Sequence, residues 1–336
     1  MTTVLVTGGA GFLGSHLVDR LLAEGASVRV LDNLSTGSLD NLRAAASRRS
    51  DGAAVSGEAR LEVILGDIRD RELVRRAMRW VEGVFHLAAL PPNGASLADP
   101  AEFHTVNVQG TLNVLDAALA EGASRVVFAS CASVYGSASN GQVMEDGPVQ
   151  PASLFAASKL AGEIYCRVFH TRHGLETVAL RYFTVYGPRQ IRLDDSLTVS
   201  ALIEAVRRRR PVIMDANAAA TLDFTYVDDA VDATVAAAVA PAAAGRTINI
   251  GSGETASVQE VLCILGRLLG LEPIPGACPG PDAVPGSPQP SASRAAELLG
   301  YVPRVSVASG LSRVVESVAN FRHSSDPALA NISADE

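Results

Sequence analysis

The first pattern with chemical meaning is a set of three glycines near the start of the sequence. Gly8, Gly11 and Gly14 follow the apolar run "TVLVTG" and open the amphipathic stretch "FLGSHLVDRLL". In a strand–turn–helix unit, the first glycine permits a tight turn, the second lets the backbone approach a pyrophosphate, and the third lets helix pack closely on strand. The N–H groups at the helix start then face the phosphates. The spacing predicts the phosphate-binding turn of a dinucleotide site.

A carboxylate ends the second apolar run, "SVRVLD". Asp32 lies about 20 residues after the glycines, where a carboxylate accepts hydrogen bonds from both ribose hydroxyls and repels a 2′-phosphate. An aspartate in "LDNLSTG" can also cap a turn or a helix, but the glycines favour the cofactor interpretation. The sequence therefore predicts NAD, rather than NADP, as the cofactor.

Elements that could position these residues follow one another along the first half of the chain. Short β-rich runs are predicted as strands at residues 3–8, 27–32, 61–67, 83–89, 125–131 and 176–183. Helical patterns occupy residues 15–24, 70–80, 107–121 and 155–172. This alternation predicts an α/β fold with a doubly wound, Rossmann-type parallel sheet, whose ligands bind at the carboxyl ends of the strands.

The alternation of strand and helix patterns changes after residue 187. We expect residues 1–184 to form the NAD-binding domain, with returns to the sheet near residues 223–251. Residues 185–322 are expected to form mainly a smaller, discontinuous substrate-binding lobe. Residues 323–336 are polar and without periodicity, which predicts a flexible tail.

The composition argues against several classes of protein. The 336 residues are 48% hydrophobic and 19% charged, enough for a sizeable core, and the net charge of -8 disfavours a nucleic-acid partner. The cysteines, Cys131, Cys166, Cys263 and Cys278, show no metal-ligand spacing, so no metal is expected. No signal peptide or membrane-spanning run is present, and free thiols fit a reducing compartment. We expect a cytoplasmic protein without a membrane partner.

Beyond these local patterns, the chain resembles the extended short-chain dehydrogenase/reductase family, which includes NAD-dependent nucleotide-sugar epimerases and dehydratases. The resemblance spans roughly residues 3–320. It is carried, in order, by "TGGAGFLG", "LDNLSTG", "GDIRD", "HLAA", "NVQGTLNVLDAA", "VVFASCASVYG", "SLFAASK", "LRYFTVYGPRQ", "DFTYVDDAVDA", "NIGSGE" and "LLGYVP".

The resemblance implies a set of cofactor contacts that includes the glycines and Asp32. Asn107 has a second interpretation, as a helix N-cap, and both stay open. The implied cofactor-binding residues are Gly8, Gly11, Phe12, Leu13, Gly14, Asp32, Asn33, Ser35, Thr36, Gly37, Asp67, Ile68, Leu87, Ala88, Ala89, Asn107, Lys159 and Tyr182.

The resemblance also implies the chemistry, which is transient oxidation of a sugar carbon, usually C4. In this family a tyrosine phenolate takes the hydroxyl proton, and a lysine four residues later binds the nicotinamide ribose and lowers the phenol pKa. A serine or threonine hydrogen-bonds the reacting oxygen. Lys159 matches the lysine, but Phe155 stands at the tyrosine position and Cys131 at the serine/threonine position.

Three explanations of Phe155 remain open, because a phenyl ring cannot transfer a proton. In the first explanation, Phe155 is an engineered replacement of a native tyrosine, made to trap a bound substrate. Alternatively, Cys131 is the base, with a relay through Ser133 or Lys159. In the third explanation the site has lost catalysis and kept binding, so the protein is a catalytically impaired NAD- and nucleotide-sugar-binding protein.

The substrate predicted by the resemblance is UDP-glucuronic acid or a UDP-hexose. "RYFTVYGPRQ" is closest to UDP-glucuronic acid 4-epimerases, with Thr184 and Ser133 as hydroxyls for the C6 group. Arg189, Arg192 or one of the arginines at 207–210 is expected on the diphosphate. The alternative enzyme is a nucleotide-sugar dehydratase. Against it, Ala132 and Ser133 stand where dehydratases carry an Asp-Glu pair.

The resemblance also suggests an assembly. Relatives are commonly homodimers through two helices, which in this sequence would be residues 107–121 and 155–172.

Overall fold

The computed structural model describes residues 2–43, 61–91, 99–136, 141–190, 198–210, 213–216, 221–271, 278–284 and 289–325. Within these ranges the strands are β1 (Thr3–Thr7), β2 (Ser27–Asp32), β3 (Leu61–Leu65), β4 (Gly83–His86), β5 (Arg125–Cys131), β6 (Gln142–Val143), β7 (Glu176–Tyr182), β8 (Thr184–Tyr186), β9 (Ile213–Ala216), β10 (Thr221–Tyr226), β11 (Thr247–Ile250), β12 (Thr255–Ser257), β13 (Cys278–Val284) and β14 (Gln289–Pro290). The helices are α1 (Phe12–Ala23), α2 (Arg71–Met78), α3 (Pro100–Phe103), α4 (Gly110–Glu121), α5 (Leu154–His173), α6 (Val199–Arg208), α7 (Val227–Val239), α8 (Val258–Leu269), α9 (Ser293–Leu299) and α10 (Val307–Ser325).

Seven strands form one parallel sheet in the order β11-β7-β5-β4-β1-β2-β3. The chain first builds outward from β1 through β2 to β3, then crosses back to β4 and continues in the other direction. This reversal places a crevice between the carboxyl ends of β1 and β4, which is where open α/β sheets bind ligands. The predicted doubly wound α/β fold is confirmed.

Helices cover both faces of this sheet, which explains why its strands are apolar along their whole length. On one face, Val74 of α2, Val114 of α4 and Cys166 of α5 belong to one buried cluster. On the other face, Leu17 of α1 and Ala233 of α7 belong to a second, larger cluster. The sheet is therefore a rigid floor from which the ends of β1, β2, β4 and β5 can present a site.

Helix α5 carries the residues that the sequence assigns to catalysis, and its two ends are well defined. The Ser153 hydroxyl accepts a hydrogen bond from the Ala156 N–H at 3.1 Å and caps the first turn. Gly174 follows the last turn with a φ of 74°, a left-handed conformation that glycine adopts without strain. The helix therefore has a fixed start close to the carboxyl end of β5.

The second half of the chain partly returns to the sheet. Strand β11 pairs with β7, and β10 joins β8 and β12 in a small sheet. Helix α10 runs to Ser325, so the predicted flexible tail begins three residues inside a helix, and residues 326–336 lie outside the described ranges. Among the described residues, no helix combines the length and apolar character needed to cross a membrane.

Candidate active site

The turn after β1 has no room for side chains at two of its glycines. Gly8 has a φ of 73°, and a Cβ there would lie 2.7 Å from the Ala88 backbone nitrogen. A Cβ at Gly14 would lie 2.1 Å from the Gly8 carbonyl oxygen. At Gly11, which precedes the first residue of α1, the nearest atom to a Cβ would be that same oxygen at 3.2 Å. The turn therefore brings bare backbone N–H groups to the cleft, a cradle suited to a pyrophosphate.

We expect Gly14→Ala to weaken NAD binding at least tenfold and to destabilise the fold by about 1–3 kcal/mol, the usual cost of overpacking. The added methyl group meets the backbone of Gly8 and Gly9, so relief requires α1 to move away from that turn. Isothermal titration with NAD and urea unfolding measure the two effects. Gly83→Ala is the matched control, because its Cβ would meet only the Val4 side chain, at 3.8 Å. Unchanged NAD affinity in Gly14→Ala would contradict the cradle.

Asp32 ends β2 with its carboxylate fixed by two backbone donors. One oxygen accepts from the Ala10 N–H at 2.9 Å and the other from the Leu34 N–H at 2.8 Å. A Cβ at Gly37 would lie 3.1 Å from this carboxylate, so glycine lets the following loop lie against it. A carboxylate has about four lone-pair directions, and two remain for hydroxyl donors. The geometry suits a pair of ribose hydroxyls.

A cleft of about 290 Å³ opens above the carboxyl ends of β1, β2 and β4. Most of the residues assigned to the cofactor from the sequence line it: Gly8, Gly11, Phe12, Leu13, Gly14, Asp32, Asn33, Ser35, Thr36, Asp67, Ile68, Leu87, Ala88 and Ala89. Gly37, Asn107, Lys159 and Tyr182 do not line it directly. Arg69, Leu90, Glu102, Val106 and Ala129 line it without having been singled out in the sequence.

Arg69 forms an ion pair with Asp67 at one end of the cleft and keeps that carboxylate ionised. Its guanidinium donates to the Asp67 carboxylate at 2.8 and 3.0 Å, and the Asn33 amide adds a bond at 2.9 Å. These hydrogen bonds, those from Arg69 foremost, lower the pKa of Asp67 to about 2. Asp67 is therefore ionised at any physiological pH and is held as an acceptor at the edge of the cleft.

Asn107 braces the wall of the cleft from inside a helical segment. It lies in a π-helical stretch, His104–Gln109, that leads directly into α4, so its interpretation as a helix N-cap was wrong. Its side chain accepts from the Leu90 N–H at 2.7 Å and donates to the Leu90 carbonyl at 3.1 Å. It also donates to the Ser158 hydroxyl at 3.0 Å. Asn107 thus ties the wall segment at Leu90 to helix α5.

A buried histidine that the sequence analysis did not single out connects the same elements. His86 contacts the Thr7 hydroxyl at 2.7 Å through Nδ1 and the Thr111 hydroxyl at 2.9 Å through Nε2. Burial, with a smaller effect of the Lys159 charge, lowers the pKa of His86 to about 3, so the ring is neutral. Thr111 donates to the Asn107 carbonyl and Thr7 accepts from the Ala88 N–H. This chain of bonds holds β1, the cleft wall and α4 in register.

Lys159 lies beside the cleft, on α5, and is 5% exposed. Its Nζ donates to the Ala129 carbonyl at 2.9 Å, and Ala129 itself lines the cleft. The ammonium also lies 5.2 Å from the centre of the Phe128 ring and 5.8 Å from that of Phe155. Burial lowers the pKa of Lys159 to about 8. The buried charge of Lys159 therefore destabilises the folded protein, because the hydrogen bond and the ring contacts offset only part of its desolvation cost.

We expect Lys159→Met to stabilise the cofactor-free protein by about 2 kcal/mol at pH 7. A pKa of about 8, against 10.5 for an ordinary lysine, corresponds to about 3 kcal/mol, from which the lost bond to Ala129 subtracts about 1. Below pH 8 the folded wild type carries the full cost of the charge. Between pH 8 and 10.5 the unfolded chain binds more protons than the folded one, so the stability of the wild type rises.

Urea unfolding at pH 7 and pH 9.5 measures this difference, which should be smaller at the higher pH. Arg172→Met, at an exposed position near the end of the same helix, is the control and should change little. A Lys159→Met protein less stable than wild type at pH 7 would contradict the buried-charge account.

The other residues assigned to catalysis surround Lys159. Cys131 is the last residue of β5, and the 3-10 turn Ala132–Tyr135 that follows it holds Ser133. Burial raises the pKa of the Cys131 thiol, although the Lys159 charge and hydrogen bonds from Ser133 act in the opposite direction. The thiol therefore keeps its proton at neutral pH. Phe155 lies in the first turn of α5, with its ring next to the Lys159 ammonium.

The predicted substrate contacts are less uniformly placed. Thr184 is half-buried on β8, beside Phe224 of β10. The Arg189 guanidinium binds the Asp19 carboxylate of α1 at 2.7 Å, so a role on a diphosphate requires this ion pair to open. Arg192 lies outside the described residues. Tyr182, which the resemblance assigned to the cofactor rather than to the substrate, faces α7, where its hydroxyl forms a hydrogen bond with that of Thr234 at 2.6 Å.

Comparisons with known proteins agree with this site. A model of the NAD dependent epimerase/dehydratase family matches residues 4–251. The UDP-glucose 4-epimerase of Mycolicibacterium smegmatis is 36% identical over 318 residues, covering 94% of this chain and 98% of that protein. The structure of UDP-glucose 4-epimerase from Thermotoga maritima with UDP-glucose aligns with a TM-score of 0.82 at 29% identity, covering 96% of this chain and all of that one.

A third relative carries a phenylalanine in place of a tyrosine, the same type of change as Phe155 at the family's tyrosine position. It is a tyrosine-to-phenylalanine mutant of UDP-glucuronic acid 4-epimerase from Bacillus cereus, solved with UDP-4-deoxy-4-fluoro-glucuronic acid and NAD. It aligns with a TM-score of 0.82 at 31% identity, covering 95% of this chain and 100% of that chain.

Proposed function

We propose a reaction and a substrate from one premise: the chain belongs to the NAD dependent epimerase/dehydratase family. It is an enzyme of that family, and its cofactor is NAD. The proposed reaction is epimerisation of UDP-glucuronic acid or a UDP-hexose at C4, through a transient 4-keto sugar. Bound NAD supplies the acceptor, and then the donor, of the hydride at C4. The protein supplies the positioning and the proton transfer.

The observation that carries this proposal is the position of Lys159. The Ala129 carbonyl that holds its ammonium belongs to the wall of the cofactor cleft, and Cys131 lies two residues further along the same strand. A cation at this junction can bind the hydroxyls of a ribose from the cleft side. It can also stabilise negative charge that develops on a sugar oxygen from the β5 side. One buried side chain thus serves the cofactor and the reacting carbon.

The remaining side chains give each part of the sugar a partner. We assign the Ser133 hydroxyl as a donor to the oxygen at C4, with the neutral Cys131 thiol as a weaker donor beside it. Thr184 offers a small hydroxyl for the group at C6, which can be a carboxylate or a hydroxymethyl. Phe155 packs beside the Lys159 ammonium, but its ring neither takes nor gives a proton.

Proton transfer is therefore the weak step, and we infer that turnover is strongly impaired. A thiol whose pKa is raised by burial is a poor base at neutral pH, which disfavours Cys131 as a replacement for the missing phenol. The Bacillus cereus mutant binds a substrate analogue and NAD with phenylalanine in place of a tyrosine. Impaired turnover is thus compatible with full ligand binding in this fold.

Product analysis tests the reaction and separates it from its alternatives. The protein is incubated with NAD and either UDP-glucuronic acid or UDP-glucose, and the sugar is followed by NMR over hours. Slow appearance of the C4 epimer supports the proposal, whereas a 4-keto-6-deoxy product identifies a dehydratase. If NAD and UDP-sugar bind but neither product forms, even after Phe155→Tyr, the chain is a binding protein. Activity abolished by Cys131→Ala would identify Cys131 as the base.

We also infer a homodimer through α4 and α5. Leu154, Ile164 and Val168 form an exposed apolar stripe on α5, each more than 40% accessible. Ile164→Glu should shift the protein to a monomer in analytical ultracentrifugation, because it places a charge in the buried interface. Val239→Glu is the control, since Val239 is also an exposed aliphatic residue but lies at the end of α7. A wild-type monomer, or a dimer unaffected by Ile164→Glu, would contradict this assembly.

A further inference from the structure

A second cavity, of about 470 Å³, lies on the α5 side of the sheet near its β11 edge. Its floor is β7, one wall is α5, and the turn before β11 forms the opposite wall. It shares no lining residue with the cofactor cleft. A concave space of this volume is within the range of small-molecule sites, yet the proposed reaction makes no use of it.

Arginines from four separate elements converge on this cavity. Arg181 on β7 and Arg294 on α9 are already paired with acids, Arg181 with Glu163 and Arg294 with Asp146. Arg167 on α5 and Arg246 before β11 have no carboxylate of the described residues within ion-pair distance, although, in addition to Arg294, the charge of Arg246 helps to lower the pKa of Asp146. The lining acids are Glu145, Asp146 and Glu163, one fewer than the arginines. A local excess of positive charge is notable in a chain of net charge -8.

The two arginines without ion pairs indicate the chemistry of the ligand. Arg167 and Arg246 come from opposite walls, so an anion between them can be bound by two guanidinium forks at once. Paired forks of this kind match the oxygens of a phosphate group. The rest of the wall includes the apolar side chains of Val149 and Leu160, which suit an organic body rather than a bare ion. We propose that this cavity binds a small phosphate monoester.

The floor of the cavity also contacts the turn that holds Ser133. Glu163 accepts a hydrogen bond from the Ser130 hydroxyl, next to Cys131. The Arg181 guanidinium lies 4.7 Å from the centre of the Tyr135 ring, at the end of that turn. A ligand in the cavity therefore contacts the ion pair that supports the reactive end of β5 from behind. This arrangement gives the site the position of an effector site.

Calorimetric titration of ribose 5-phosphate tests the proposal. The protein is first saturated with NAD and UDP, so that the cofactor cleft and the nucleotide site do not compete, and ionic strength is held constant. We expect one saturable site per chain. The Arg167→Ala/Arg246→Ala double variant should bind at least tenfold more weakly. Arg172→Ala, which removes an exposed arginine on α5 that does not line the cavity, should bind as wild type does.

Several results would overturn the assignment. They are the absence of saturable binding, equal affinity in the double variant, and crystallographic density for the sugar phosphate elsewhere on the protein. Inorganic phosphate serves as the second probe, and equal affinity for it would reject the monoester in favour of the free anion. The titration involves no turnover, so its failure and the failure of the proposed epimerase reaction are distinguishable.

Discussion

Phe155→Tyr is expected to raise the rate of C4 epimerisation by about 10²–10⁴-fold, the usual contribution of one positioned acid/base. The new hydroxyl would extend from a ring whose centre already lies 5.8 Å from the Lys159 ammonium. A nearby cation favours the phenolate and lowers the phenol pKa. Since the Cys131 thiol stays protonated, the phenol would supply a base near neutral pH that the thiol does not.

Two control variants separate proton transfer from packing. Phe155→Leu keeps an apolar side chain and should give no gain, because the hydroxyl is what matters. Phe155→Tyr combined with Lys159→Met should lose most of the gain, since the phenol then has its ordinary pKa. Product formation followed by NMR at pH 6 to 8 measures all three proteins. The rate of Phe155→Tyr should rise over this range, because the phenolate forms while most of the Lys159 side chains are still charged. An unchanged rate in Phe155→Tyr would refute the missing-phenol account.

The sequence predicted those parts of the site that depend on residues close together in the chain. The turn at Gly8 and Gly14, the carboxylate at the end of β2, and the i, i+4 pair of Phe155 and Lys159 each follow from one local motif. The parallel sheet follows from a repeated strand–helix pattern, because both faces are buried. A repeated local pattern therefore predicts the sheet, and short motifs predict which residues lie at its carboxyl edge.

The supporting network was not predicted, because it joins residues far apart in sequence. His86 lies 79 residues from Thr7 and 25 from Thr111, and nothing in "HLAA" shows which hydroxyls will meet the ring. His86 was not assigned to the site from the sequence, whereas Arg189 was assigned to the diphosphate. In the structure the Arg189 guanidinium is already bound to Asp19. A motif specifies the residue type at a position, whereas the partner that a long side chain selects depends on tertiary packing.

The same reasoning explains the small errors at the ends of elements. The predicted strand at 83–89 ends at His86, because the next residues leave the sheet to line the cleft. The helix predicted from residue 107 begins inside the π-helical stretch His104–Gln109, and the α-helix itself begins at Gly110. An extra residue per turn re-aims side chains, and π-helical turns are frequent at functional sites. Here it turns Asn107 toward Leu90, a result that apolar periodicity cannot predict.

Glu163→Ala is expected to destabilise the fold by about 3–5 kcal/mol, because it leaves Arg181 as an unpaired buried charge. Both side chains of the pair are 5% exposed, and Arg181 donates to Glu163 at 2.7 and 2.9 Å. The Ser130 hydroxyl loses its acceptor in the same variant. Urea unfolding measures the loss, and Glu121→Ala, which removes the partner of Arg75 at the surface, should cost less than about 1 kcal/mol.

The double variant Glu163→Leu/Arg181→Met shows whether the ion pair contributes only to stability or also supports catalysis through the turn Ala132–Tyr135. Replacing both charges by apolar groups of similar volume removes the burial cost along with the attraction, so most of the lost stability should return. The support of the turn should not return, because the Tyr135 ring loses the guanidinium beneath it and Ser130 still lacks an acceptor. In a Phe155→Tyr background we therefore expect the double variant to be stable, to bind NAD normally and to have a reduced kcat. If kcat recovers together with stability, the pair contributes to folding alone.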